Sequence, residues 1–133
     1  MGALNDAGLH ILVVEDNADC ADSTAVLLRL WGHHVDVVRD GLAALKAAQA
    51  CPPDVLLLDI GLPGMVGYDV ARRLREQVGP KRTFIIALTG FGRQEDRRRS
   101  EESGIDLHLL KPADPEKLEV LLARLRDRLA ISG

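Results

Sequence analysis

The chain has 133 residues, 47% of them hydrophobic, and a formal net charge of -3, enough for one core that buries about two-thirds of the unfolded chain's surface and too little for a second domain. No apolar stretch approaches the roughly 20 residues that span a bilayer, and residues 1–10 lack the basic and apolar regions of a signal peptide. The acidic balance argues against general attraction to nucleic acid, so the expectation is a cytoplasmic domain with protein partners, touching neither nucleic acid nor membrane directly.

The first strand is expected over residues 11–14, an apolar run that ends on Glu15 and Asp16. A helix follows over about 18–31, with Asn17 placed to accept a backbone N–H at its start and Gly32 to end it. A short second strand over 34–38 leads to a helix over about 42–50. Pro52 and Pro53 stop that helix, because proline lacks the donor and displaces its predecessor from helical angles. The third strand, 55–58, ends on Asp59; a helix covers about 68–78; the fourth strand, 84–88, ends on Thr89.

Residues 93–103 contain no apolar side chain. A helix there has only long side-chain stems and Ser100 or Ser103 to place against a sheet, helped by pairs such as Glu95 with Arg98 or Arg99, each contributing about 0.2 to 0.5 kcal/mol. It is expected to be the least firmly held helix, and switching elements come from the low-stability end of a fold. Arg97, Arg98 and Arg99 are flanked by acids and read as a mixed, solvated face. The fifth strand, 107–110, ends on Lys111 and Pro112. The last helix has Asp114 as cap, Pro115 in its first turn, and Leu118, Leu121, Leu122, Leu125 and Leu129 along one face. Cys20 and Cys51 fall in different predicted helices without metal-ligand spacing and read as reduced, inert packing residues. His10, His33, His34 and His108 show no ligand spacing either.

Continuous apolar strands alternating with helices indicate a parallel sheet covered on both faces. Side chains at the carboxyl ends of such strands share one crevice, which here gathers Glu15, Asp16, Asp59, Thr89 and Lys111. Two carboxylates about 4 Å apart repel by roughly 4 kcal/mol at an effective dielectric near 20, so three call for a counter-cation. Oxygen ligands without histidine or thiolate suit Mg²⁺, with Mn²⁺ as a possible substitute. A carboxylate facing a metal-bound phosphate can act as a nucleophile and form an aspartyl phosphate, with Lys111 and Thr89 supplying charge and a hydrogen bond.

The order Glu15-Asp16, Asp59, Thr89, Lys111-Pro112 resembles the receiver domain of bacterial two-component response regulators over about residues 9–129. The turn Asp59 to Gly64 and the stretch Ala21 to Ser23 resemble receivers of hybrid histidine kinases, which leans the reading toward an excised receiver over a stand-alone protein. The resemblance implies a flavodoxin-like (βα)5 fold, a doubly wound five-stranded parallel sheet of order 2-1-3-4-5. It places a flexible tail at 1–8, the receiver at 9–130 and a C-terminal tail at 131–133. It implies that Asp59 accepts a phosphoryl group from a histidine kinase or histidine phosphotransfer protein, and that Glu15, Asp16, Asp59 and the Gly61 carbonyl organise Mg²⁺. Lys111 then pairs with phosphate, Thr89 is the switching hydroxyl, and the bond to Pro112 is cis.

Phosphorylation would change the face made by the fourth predicted helix, fifth strand and last helix, which a downstream protein effector reads. The resemblance implies a signalling domain, not an enzyme, that promotes only its own phosphorylation and dephosphorylation. His108 stands where many receivers carry a switching tyrosine or phenylalanine, and Phe91 stands where receivers tune water access. Val66 replaces a usual polar residue in the loop after Asp59. A haloacid dehalogenase phosphatase needs a second aspartate at Gly61, and a nucleotide module needs a phosphate-cradling loop after the first strand. The remaining alternative is a degenerate receiver acting as a constitutive protein-interaction module.

Overall fold

The computed structural model describes residues 8–60, 67–78, 83–90, 103–111 and 113–132. Five strands, β1 (His10–Val14), β2 (His34–Val38), β3 (Val55–Asp59), β4 (Phe84–Thr89) and β5 (Leu107–Leu110), form one sheet in the order β2-β1-β3-β4-β5. All four strand pairings are parallel. The described helices are α1 (Ala18–Leu30), α2 (Gly41–Ala50), α3 (Gly67–Val78) and α4 (Pro115–Ser132). This is the flavodoxin-like topology that the family resemblance implies.

Local chemistry explains the helix boundaries. Asn17 Oδ1 accepts from the Cys20 N–H at 2.9 Å, and Asp40 Oδ1 accepts from the Ala43 N–H at 2.8 Å, at the starts of α1 and α2; such a cap contributes about 1 kcal/mol. Gly32, at φ +94°, turns the chain out of α1, and the His33 N–H returns to the Leu28 carbonyl at 3.2 Å. At α4 the Glu116 N–H donates to Asp114 Oδ1 at 3.0 Å.

Strand side chains alternate between two cores. Leu12, Val14, Leu56 and Leu58 pack with Ala44, Ala48, Val70 and Leu74 of α2 and α3. Ile11, Val13, Val55 and Leu57 pack on the other face with Ala25, Leu28, Leu118 and Leu122 of α1 and α4. β3 is buried at all five positions, whereas edge strand β2 buries Val35 and exposes His34 and Asp36.

Two expectations need correction. The leucine spacing predicts Leu129 on the packing face of the last helix, but it is 45% exposed. An 18-residue helix is about 27 Å long, so its last turns overhang strands of four to six residues. Cys20 and Cys51 are also exposed thiols and not packing residues: α1 turns Ala21, Ala25 and Leu28 inward instead, and Cys51 lies past the end of α2, as its C-cap.

Candidate functional site

The sheet order makes β1 and β3 neighbours in the register Val14↔Leu58, so the next residues along, Glu15 and Asp59, come side by side. The Glu15 N–H still pairs with the Val38 carbonyl at 3.1 Å, which carries the strand geometry one residue past β1. One carboxylate oxygen from each of Glu15, Asp16 and Asp59 lies within 4.8 Å of the others. Glu15 and Asp59 are buried and Asp16 is exposed, so the cluster is open to solvent on one side.

Lys111 closes the arrangement. Its N–H donates to the Thr89 carbonyl at 2.7 Å, continuing β5 alongside β4. Its Nζ donates to Glu15 Oε1 at 2.6 Å and to Asp59 Oδ2 at 3.1 Å. Thr89, at the end of β4, is buried, and its Oγ1 makes a long contact of 3.5 Å to the Leu109 carbonyl, a weak hydrogen bond that is easily exchanged.

Glu15 and Lys111 border an apolar cavity of about 130 Å³ whose walls include Leu27, Leu28, Leu57, Leu88 and Leu118. Burial therefore raises the Glu15 carboxyl above its ordinary 4.5; hydrogen bonds from Lys111 and the Asn17 N–H oppose this, and the Asp59 charge adds to it. Burial works against the Lys111 ammonium too, but its hydrogen bonds to Glu15 and Asp59 overcome the cost and raise it above 10.5. The amine is firmly cationic, and it partly neutralises a pocket that holds more negative charge than it can stabilise alone.

The donor set fits a hard divalent cation. An ion with oxygen ligands at about 2.1 Å spreads them up to about 4.2 Å apart, close to the observed spacing of the three carboxylates. Among the described residues, no other cluster of three metal-ligating side chains forms.

The structure thus brings together Glu15, Asp16, Asp59 and Lys111, with Thr89 on the adjoining strand end. His108 lies on β5 opposite Ala87 and is half-buried. Gly61, Phe91 and Pro112 lie outside the described residues, as does most of the predicted helix at 93–103. Of the two serines expected to offer a face to the sheet, Ser103 is buried and Ser100 lies outside the described residues.

Sequence reasoning missed two arginines. Arg39 Nη2 donates to the Asp16 carbonyl at 2.5 Å, bracing the acidic turn from the end of β2. Arg75 of α3 donates to the Gly104 carbonyl at 3.0 Å, to Asp106 Oδ2 at 2.5 Å and to the Thr83 carbonyl. It thereby ties the approach to β4 to the approach to β5. Gly104 sits at φ +82°, and a Cβ there would meet Arg75 Cγ at 2.7 Å. Neither arginine carried a signal, since each reads as an ordinary surface cation.

Comparison with known proteins places this geometry. Residues 11–123 match the family model described as the response regulator receiver domain. The DNA-binding response regulator MtrA of Mycolicibacterium paratuberculosis is 41% identical over 120 residues, covering 90% of this chain and 51% of MtrA; the chain spans about half the length of the curated relatives it matches. The receiver domain of the sensor histidine kinase PA1611 from Pseudomonas aeruginosa, solved with a magnesium ion coordinated in its active-site cleft, is 35% identical with a TM-score of 0.80, over 90% of this chain and 98% of that one. A CheY-like receiver from Methanospirillum hungatei superposes with a TM-score of 0.84 at 25% identity, over 95% of this chain and 99% of that one. With its sheet order and its strand-end acids agreeing with that match, the chain belongs to the response regulator receiver domain family.

Proposed function

We propose that Asp59 accepts a phosphoryl group from a histidine kinase or histidine phosphotransfer protein, and that the modified domain signals to a downstream protein effector. The observation that supports this best is the convergence of three carboxylates on Lys111 Nζ at the carboxyl edge of the sheet. Glu15, Asp16 and Asp59 would hold Mg²⁺, with the Gly61 carbonyl that the family resemblance implies. When bound, that ion neutralises the acids and orients phosphoryl oxygens.

An Asp59 carboxylate oxygen forms the new bond to phosphorus while the donor's bond to phosphorus breaks and its electron pair leaves with the donor. Lys111, positively charged throughout, exchanges its carboxylate partners for a phosphoryl oxygen. Thr89 exchanges its long contact with the Leu109 carbonyl for a bond to another phosphoryl oxygen. The acyl phosphate adds roughly -1.5 to -2 charge.

Thr89 pairs with Leu110 across the sheet, and Lys111 follows directly, so both movements act on β5. His108 lies on that strand in place of the usual aromatic. As the family resemblance implies, the surface that changes includes β5 and α4. The shift is a change in populations, graded by how much better the active arrangement binds the phosphoryl group.

Incubation with acetyl phosphate and Mg²⁺, followed by intact mass measurement, tests the reading. A single phosphoryl adduct is expected, and none in Asp59→Asn. An equal adduct in the variant would overturn the assignment; no adduct in the folded wild type would favour the constitutive binding module.

A further inference from the structure

At the opposite, amino edge of the sheet, three side chains from three elements form a second group. Cys51 caps α2, its N–H donating to the Ala47 carbonyl at 3.0 Å, and its thiol is exposed. Its Sγ lies 4.0 Å from Nδ1 of His10, the first residue of β1. The other ring nitrogen, Nε2, lies 2.9 Å from Asp36 Oδ2 on β2. An ionised carboxylate only accepts hydrogen bonds, so Nε2 carries the ring proton and, in the neutral ring, Nδ1 turns a lone pair toward the thiol. The imidazole is also held at its backbone: the His10 N–H donates to Asp54 Oδ2 at 2.8 Å, and its carbonyl accepts from the Asp54 N–H at 2.8 Å.

A thiol, a base within reach of it, and a carboxylate orienting the base are the parts of an activated nucleophile. We infer that Cys51 is a modification site, a thiol that exchanges with small-molecule disulfides in preference to Cys20. The Cys51 proton passes to His10 Nδ1, and the imidazolium formed is paired with Asp36. The thiolate then attacks one sulfur of the disulfide, forming a mixed disulfide as the reagent's own S–S bond breaks. The departing thiolate leaves with that electron pair and takes the proton back from His10. Cys51 is oxidised, and one half of the reagent is reduced.

This site is separate from the acid pocket, so its test does not depend on phosphorylation. The intact domain is treated with glutathione disulfide, and adducts on the Cys51 and Cys20 peptides are followed over time by mass spectrometry. Cys20, also exposed, is the internal reference. Cys51 is expected to react at least about tenfold faster than Cys20. His10→Gln should bring Cys51 down to about the Cys20 rate without changing Cys20, and Asp36→Asn should slow Cys51 alone. Equal rates for the two cysteines in the wild type would overturn the inference, as would a Cys51 rate untouched by His10→Gln. Asp36, whose side chain is 71% exposed, keeps the test open if the His10 variant fails to fold: an unchanged Cys51 rate in Asp36→Asn would then refute it.

Discussion

Replacing Lys111 by methionine keeps most of the side chain's stem and removes the ammonium that faces two carboxylates. At an effective dielectric of 20, attractions across 2.6 and 3.1 Å amount to about 6 and about 5 kcal/mol before desolvation is set against them. The net loss is smaller, because the Lys111 side chain is 28% exposed and water screens part of it. A charge-assisted, part-buried pair that loses one partner costs about 2 kcal/mol, which for a domain of this size lowers the midpoint of thermal unfolding by about 7 °C.

The pH dependence separates this cause from lost packing. Without Lys111 the Glu15 carboxyl rises further above 4.5, because the ammonium was one of the influences holding it down. Protonating Glu15 relieves the unpaired charge, so the deficit is largest near neutral pH and shrinks as pH falls through the raised value. Mg²⁺ should also recover more stability in Lys111→Met than in the wild type, since the acids lack their resident cation. Thermal melts followed by circular dichroism, at neutral and acidic pH and with and without Mg²⁺, provide the assay. A variant as stable as the wild type, or a deficit indifferent to both acid and Mg²⁺, would refute the reasoning.

Other consequences can be measured in the same way. The raised Glu15 carboxyl means that the folded state holds its proton more tightly, so stability falls as pH rises from 4.5 through the raised value; Glu15→Gln should abolish that slope in urea melts without divalent ions, and parallel curves would contradict it. His33 is shifted the opposite way. Burial chiefly, then the Arg126 and His34 charges, hold it below 6.5, and its neutral Nδ1 accepts from the Leu9 N–H at 3.0 Å. Its contribution is full above pH 6.5 and lost as pH falls through the lowered value, so His33→Gln should flatten that loss. In the last helix, Leu122→Ala should cost about 2 to 4 kcal/mol because the side chain is fully buried. Leu129→Ala should stay within about 0.5 kcal/mol, and similar chemical-denaturation midpoints for the two would refute the packing assignment.

The strand cores were legible because parallel strands covered on both faces need unbroken apolar runs, and β3 and most of β4 supply them. The site was legible for a related reason: a charged or hydroxyl residue that ends such a run has only the carboxyl edge of the sheet to occupy. That rule found Glu15, Asp59, Thr89 and Lys111 without knowledge of their contacts. It could not find Arg39, whose role depends on a backbone carbonyl across two loops, or Arg75, whose partners near β4 and β5 are brought together only by the fold. Leu129 misled because heptad-like spacing marks a helix face but not where the sheet beneath it stops. The cysteines misled because thiols are usually buried, and Cys51 is placed by the end of its helix and not by its own hydrophobicity.

The most direct test of the central claim is to find where the phosphoryl group sits. After incubation with acetyl phosphate, borohydride reduces an aspartyl phosphate to the corresponding alcohol, and peptide mass spectrometry then identifies the converted residue. Conversion at Asp59 that requires Mg²⁺ and disappears when the ion is chelated is the result expected here. Conversion at Asp16 or elsewhere, or equal conversion without the ion, would contradict the assignment of Asp59 as the acceptor at the edge of a cation-holding acid pocket.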